Sequence, residues 1–206
     1  MRIVVLGATG ATGREVLAVA RRRGHQVVAL ARRPEALSGV AEGDLEVRQV
    51  DVHEPGQVSA ACRDADAVIS ALGIRGKGPA GTLSAGARAV AAAEPPRIAW
   101  MGSFGIGASH RRAGRLYEFI QRRVLGAGFA DKAAADAIVS GPSCTIFHPV
   151  ILSGGPETGE ITVTPLEQIG RSWRFMPPKV SRADVAAAMV AEVESPAYAG
   201  RTVAVF

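Results

Sequence analysis

A chain of 206 residues, 48% apolar and 21% charged, has the size and composition of one globular domain, and none of its apolar runs reaches the ~18 residues of a membrane span. The net charge of +5 suits an anionic ligand such as a dinucleotide as well as nonspecific nucleic-acid contact; the expected partner is a small molecule, with no nucleic-acid or membrane partner. The cysteines, Cys62 and Cys144, share no motif, and His25, His53, His110 and His148 lack ligand spacing. Two thiols in a reducing compartment, no metal and a cytoplasmic location are therefore expected.

Strand and helix patterns alternate from the start. Residues 2–6, "RIVVL", predict a strand buried on both faces. Glycines follow at once, unlike the profile of a signal peptide. Residues 11–24 have helical spacing and end at Gly24. Further strands are expected at 25–31, 45–51, 66–73 and 97–103, with helices over "PGQVSAACRD" and "GTLSAGARAVAAAE" between them. Beyond residue 110, helices are expected at 111–126 and 130–140, then a strand at 143–152. Loops and short strands should occupy 153–180, followed by a helix at 181–195 and a closing strand, "RTVAVF". Strands separated by helices of this length imply an α/β fold: a doubly wound parallel sheet with helices on both faces.

"VVLGATGATGREV" places Gly7, Gly10 and Gly13 between the first strand and the first helix. Glycines there make the tight turn, let backbone N–H groups approach a pyrophosphate and let the helix pack on the strand. A site that prefers NAD puts a carboxylate at the end of the second strand. Here Ala31 takes that place, followed by Arg32 and Arg33. A carboxylate repels a 2′-phosphate and arginine binds it, so NADP(H) is the expected cofactor, with Arg32 the stronger candidate. The strand ends also offer Asp51 and Val52 near the adenine, Ala71, Leu72, Gly73 and Ile74 near the ribose, and Ser103 near the nicotinamide.

"VVLGATGATGREV", "RQVDVHEPGQVSAACRDADAVISALG", "FHPVIL" and "SRADVA" together resemble the atypical short-chain dehydrogenase/reductases of the NAD(P)H-binding, NmrA-like group, nearest to the biliverdin reductase B / flavin reductase type. The resemblance implies one NAD(P)-binding Rossmann domain over 1–206, with substrate-covering segments at about 104–128 and 153–180. It also implies that Gly7, Thr9, Gly10, Ala11, Thr12 and Gly13 hold the pyrophosphate. Ser103 and Lys132 would serve catalysis, and Pro149, Val150 and Ile151 would lie against the carboxamide. The biliverdin reductase B type carries a histidine where this chain has Val150, with His148 two places earlier, which argues against tetrapyrrole reduction.

Many relatives use Tyr-x-x-x-Lys, in which the tyrosine protonates a carbonyl. In this chain Gly128 stands four residues before Lys132, and Tyr117 is followed four residues on by Gln121. Reduction of an isolated ketone needs a positioned acid, whereas a conjugated acceptor spreads the developing charge. The expectation is an NADPH-dependent oxidoreductase acting on a planar, conjugated small molecule, as a monomer or weak dimer. The alternative is an NmrA-like redox sensor that binds NADP(H) without turnover. An epimerase would need the tyrosine and a larger C-terminal domain.

Overall fold

The computed structural model describes residues 1–40, 45–73, 79–113, 117, 119, 121–123, 126–170 and 178–206. Eight strands form one sheet in the order β3-β2-β1-β4-β5-β6-β10-β8. These are β1 (Arg2–Leu6), β2 (Gln26–Ala31), β3 (Leu45–Gln49), β4 (Ala67–Ser70), β5 (Ile98–Met101), β6 (Cys144–Pro149), β8 (Val163–Pro165) and β10 (Thr202–Val205). All neighbours pair in parallel except β8, which runs antiparallel to β10 at one edge.

The helices are α1 (Ala11–Arg22), α2 (Pro55–Cys62), α3 (Thr82–Ala93), α4 (Ala127–Val139) and α5 (Arg182–Glu194). Side chains alternate across each strand, so the sheet divides its apolar residues between two cores. Ile3, Val5, Val27, Ala29 and Ile69 face α1 and α5. Val4, Leu6, Val28, Leu30 and Trp100 face α2, α3 and α4. Runs such as "RIVVL" are apolar throughout because both faces are covered.

The expected strand at 143–152 is two elements. β6 ends at Pro149, and β7 (Ile151–Ser153) pairs with β9 (Lys179–Ser181) in a separate two-stranded sheet. A proline has no N–H to continue a ladder, so the chain can leave the main sheet there. The expected helix at 111–126 is preceded by a 3-10 turn over Gly107–Arg112, and residues 117, 119 and 121–123 are helical. Gly126, at φ +52°, separates that stretch from α4.

Asp184 in the first turn of α5 holds the segment after β7. Its carboxylate accepts from Thr158 N (2.8 Å), Thr158 Oγ1 (2.9 Å), Gly159 N (2.9 Å) and Ser181 Oγ (2.6 Å). Burial raises the carboxyl pKa, but these donors outweigh it and hold the group below the ordinary value. Asp184→Asn is expected to lose about 2 kcal/mol at pH 7, lowering the melting temperature by about 4–8 °C. A depressed folded pKa stabilises above the unfolded value and loses that effect as pH falls through the folded one. The difference between wild type and variant should therefore shrink below about pH 4 in a melting series.

Both cysteines are buried. Burial pushes the Cys62 thiol up to about 11, and burial with the nearby Asp136 charge pushes Cys144 to about 12. Neither should react with a thiol-disulfide reagent at pH 8 until the chain is unfolded, and rapid labelling of the native protein would contradict this.

Candidate active site

The loop after β1 is built with almost no side chain. Gly7 sits at φ +73°, and a Cβ there would lie 2.6 Å from the Ala71 carbonyl oxygen at the end of β4. A Cβ on Gly13 would lie 2.1 Å from the Gly7 carbonyl oxygen. Both positions exclude any larger residue. α1 begins at Ala11 with no capping side chain on Gly10 and no acid in its first turn. Its first N–H groups and positive end therefore face the loop without an acidic neighbour. Thr12 is buried, Thr9 and Gly10 are half-buried, and Ala11 is exposed.

Arg14 is a cation here that sequence reasoning missed. Its guanidinium donates to Thr9 O (3.4 Å) and Ala36 O (2.6 Å), bridging the glycine loop to the segment after β2. A basic residue in an acid-free first turn was the available signal.

At the ends of β2 and β3, Arg32, Gln49, Val50, Asp51 and Gln57 line a cavity of about 330 Å³. Arg33 is exposed, leads into a 3-10 turn at Pro34–Leu37 and is not part of the cavity wall. Asp51 also shapes its own turn, since Oδ1 accepts from His53 N (2.9 Å). Val52 is buried beside it. At the end of β4, Ala71 is buried, Leu72 half-buried and Gly73 exposed, and Ile74 lies outside the described residues.

The ends of β5 and β6 are tied together. Gly102 N donates to Phe147 O (2.8 Å), and Phe104 N donates to Pro149 O (3.0 Å). These bonds place Ser103 beside Pro149. Ser103 is half-buried, and its hydroxyl makes no hydrogen bond among the described residues. Val150 is buried and Ile151 half-buried.

Lys132 lies on α4 and is half-buried. Its neighbour Asp131 caps α3, accepting from Leu83 N (3.0 Å) and Ser84 N (3.1 Å). Burial pushes the Lys132 ammonium below the ordinary lysine value, while Asp136 and Asp131 oppose that shift. Lys132 and Ser103 are not hydrogen-bonded to each other.

Tyr117 is a core residue. Its phenol accepts from Gln121 Nε2 (3.0 Å), and Gln121 Nε2 also donates to Phe104 O (3.1 Å). A Cβ on Gly105 would come within 2.9 Å of the Tyr117 ring, so that glycine admits the ring. Burial raises the phenol, with Gln121 opposing. Within the expected helix at 111–126, the Arg122 guanidinium stacks on the Phe129 ring at 4.6 Å. Arg112 donates to Ile169 O, joining the two segments expected to cover a substrate.

Beneath the rim runs a buried polar chain. Trp100 Nε1 donates to Asp136 Oδ1 (3.1 Å), Asp136 Oδ2 lies 3.0 Å from His148 Nε2, and His148 Nδ1 lies 2.7 Å from Ser109 Oγ. The residue types match a hydrolase triad, but Ser109 and His148 are both 0% exposed, so no substrate reaches the hydroxyl.

A family model described as NAD(P)H-binding matches residues 7–196. Similar solved structures include the oxidoreductase ylbE from Lactococcus lactis, at 20% identity and TM-score 0.79, covering 100% of this chain and 90% of that one. ChuY, an anaerobillin reductase from Escherichia coli O157:H7, aligns at 23% identity and TM-score 0.81, covering 100% and 97%. A short-chain dehydrogenase/reductase from Veillonella parvula aligns at 15% identity and TM-score 0.76, covering 99% and 93%. At these identities the likeness establishes the fold. Among the described residues, no helix is long and apolar enough to cross a membrane.

Proposed function

The chain belongs to the NAD(P)H-binding family, and on that footing we propose that it is a cytoplasmic NADPH-dependent oxidoreductase whose acceptor is a flat, conjugated molecule such as a flavin or quinone. The observation that carries this reading is the make-up of the rim. It offers Arg32 and a Ser103 hydroxyl without a partner among the described residues, with Lys132 half-buried on α4, while the phenol of Tyr117 is committed inside the core. The reductase ChuY among the structural neighbours fits the same reading.

Gly7, Thr9, Gly10, Ala11, Thr12 and Gly13 hold the pyrophosphate through main-chain amides and the positive start of α1. Arg32 takes the 2′-phosphate, with Arg33 and Arg14 adding positive field. Asp51 and Val52 flank the adenine, and Ala71, Leu72 and Gly73 the ribose. Pro149, Val150 and Ile151 lie beside the carboxamide. When bound, the dinucleotide supplies the hydride. Ser103 donates a hydrogen bond to the oxygen on which negative charge develops, and the Lys132 ammonium stabilises that charge. A delocalised anion then takes its proton from solvent, so the tyrosine is dispensable.

The test is NADPH oxidation followed at the nicotinamide absorbance with free flavins and quinones as acceptors. Turnover that falls at least ~10-fold in Ser103→Ala is expected. Tight NADPH binding with no turnover on any acceptor would overturn the reductase reading and leave a cofactor-binding protein.

A further inference from the structure

Gly86 is buried inside α3, a helix otherwise rich in alanine. Alanine would serve the helix better there, because glycine loses more backbone freedom on folding. Packing supplies the reason for the exception. A Cβ on Gly86 would lie 2.5 Å from Leu72 Cδ1, far inside contact distance, and 3.9 Å from Val52 Cβ and Cγ1, an ordinary contact. All three are side-chain atoms. Gly13 is the opposite case, since the Cβ it lacks would meet only backbone. Gly86 therefore does not serve a close approach of two main chains. It leaves a notch in α3 that the tip of Leu72 fills.

Leu72 meets a second glycine at its other end. The Cβ that Gly7 lacks would lie 2.8 Å from Leu72 N and 2.6 Å from Ala71 O. Gly7 thus admits the main chain of Leu72, and Gly86 admits its side chain. Leu72 follows β4 directly beside the glycine turn, packs on the α2, α3 and α4 face of the sheet and is only half-buried. Its main chain is fixed against the turn, whereas its side chain can change rotamer. With the notch filled, Cδ1 has to leave α3, and the incompletely covered side of Leu72 is where it can go.

We propose that Gly86 is a positioning residue for the dinucleotide site: its missing side chain keeps Leu72 drawn back against α3 and the groove beside the glycine turn open. Gly86 touches no ligand and acts only through Leu72. The proposal rests on the cofactor reading given for the Gly7–Gly13 loop and the end of β4.

The test is calorimetry with NADPH on the wild type, Gly86→Ala, Leu72→Ala and the double variant. Thermal melting and the Leu72 methyl resonances of the ligand-free proteins are followed in parallel, with the methyl signals assigned by their loss in Leu72→Ala. Gly86→Ala should melt within ~3 °C of the wild type, since better helix formation offsets the cost of moving one side chain. Its Leu72 methyl signals should shift, and its NADPH dissociation constant should rise about 10-fold. In the Leu72→Ala background, whatever that change does by itself, adding Gly86→Ala should alter the constant less than ~2-fold, because no side chain remains to be displaced. Equal NADPH affinity in wild type and Gly86→Ala would overturn the proposal. So would a loss that persists in the Leu72→Ala background, or a melting temperature well below that of the wild type, since either means that α3 itself has moved. No heat from the wild type, with the Leu72 methyl signals still shifted in Gly86→Ala, would place the failure in the cofactor reading. Wild-type binding with unmoved methyl signals would place it in the notch.

Discussion

Gly13→Ala is expected to abolish dinucleotide binding and to lower stability by about 3 kcal/mol or more. The added methyl would sit 2.1 Å from the Gly7 carbonyl oxygen, 2.8 Å from Gly7 C and 2.9 Å from Ala8 Cα. All three are backbone atoms of one tight turn, so no side-chain rotation relieves the clash. Either α1 slides away from β1 or the turn opens. Both movements displace the N–H groups at the start of α1 that would grip the pyrophosphate in the proposed cofactor site. Thermal melting should show a drop of about 6–12 °C, and calorimetry with NADPH should show no heat. A variant that melts like wild type and binds NADPH equally well would mean that the loop is not the cofactor cradle.

Arg32→Glu is the second large effect. It should weaken NADPH binding about 100-fold, near 2.7 kcal/mol, while NADH binding holds or improves. Arg32 is an exposed cation on the wall of the 330 Å³ cavity at the ends of β2 and β3, and no acid from the end of β2 shares that wall. In the proposed NADP(H) site the substitution would remove a charge-assisted hydrogen bond and set a carboxylate against the 2′-phosphate. The same carboxylate is a good acceptor for a ribose hydroxyl, so the preference should invert. Arg33→Glu should cost only several-fold, since Arg33 stands off the wall and acts through field alone. The decisive measurement is the ratio of NADPH to NADH dissociation constants across the three proteins. An unchanged ratio in Arg32→Glu would remove Arg32 from the specificity determinants.

These two predictions concern features that were legible before the fold was known. Gly7, Gly10 and Gly13 are a backbone requirement written locally, and Arg32 is marked by following Ala31 at the end of an apolar run. The strand order was legible only as a class, because long helical crossovers imply parallel neighbours. Short strands were expected within 153–180, but the position and pairing of β8 were not legible, because three residues in a Thr- and Pro-rich stretch have no readable period. The buried chain escaped for another reason. Asp136 and His148 are 12 residues apart, and Ser109 and His148 are 39 apart. Only the pairing of β5 with β6 and the packing of α4 beside them bring these groups together. Asp184 was quoted as part of a family motif, but its work on Thr158 and Gly159 depends on a loop returning to α5. Short-range backbone demands leave a mark in the sequence, and long-range polar contacts do not.

The two margins of the eight-stranded sheet differ in composition but converge in effect. At one, β3 carries Glu46 and Arg48, and Glu46 is ion-paired to both Arg48 and Arg2. At the other, β8 is three residues long and ends in Pro165. A foreign strand seeking unpaired amides meets solvated charges on one side and too short a template on the other. Edge-to-edge pairing through the sheet is thereby disfavoured at both margins.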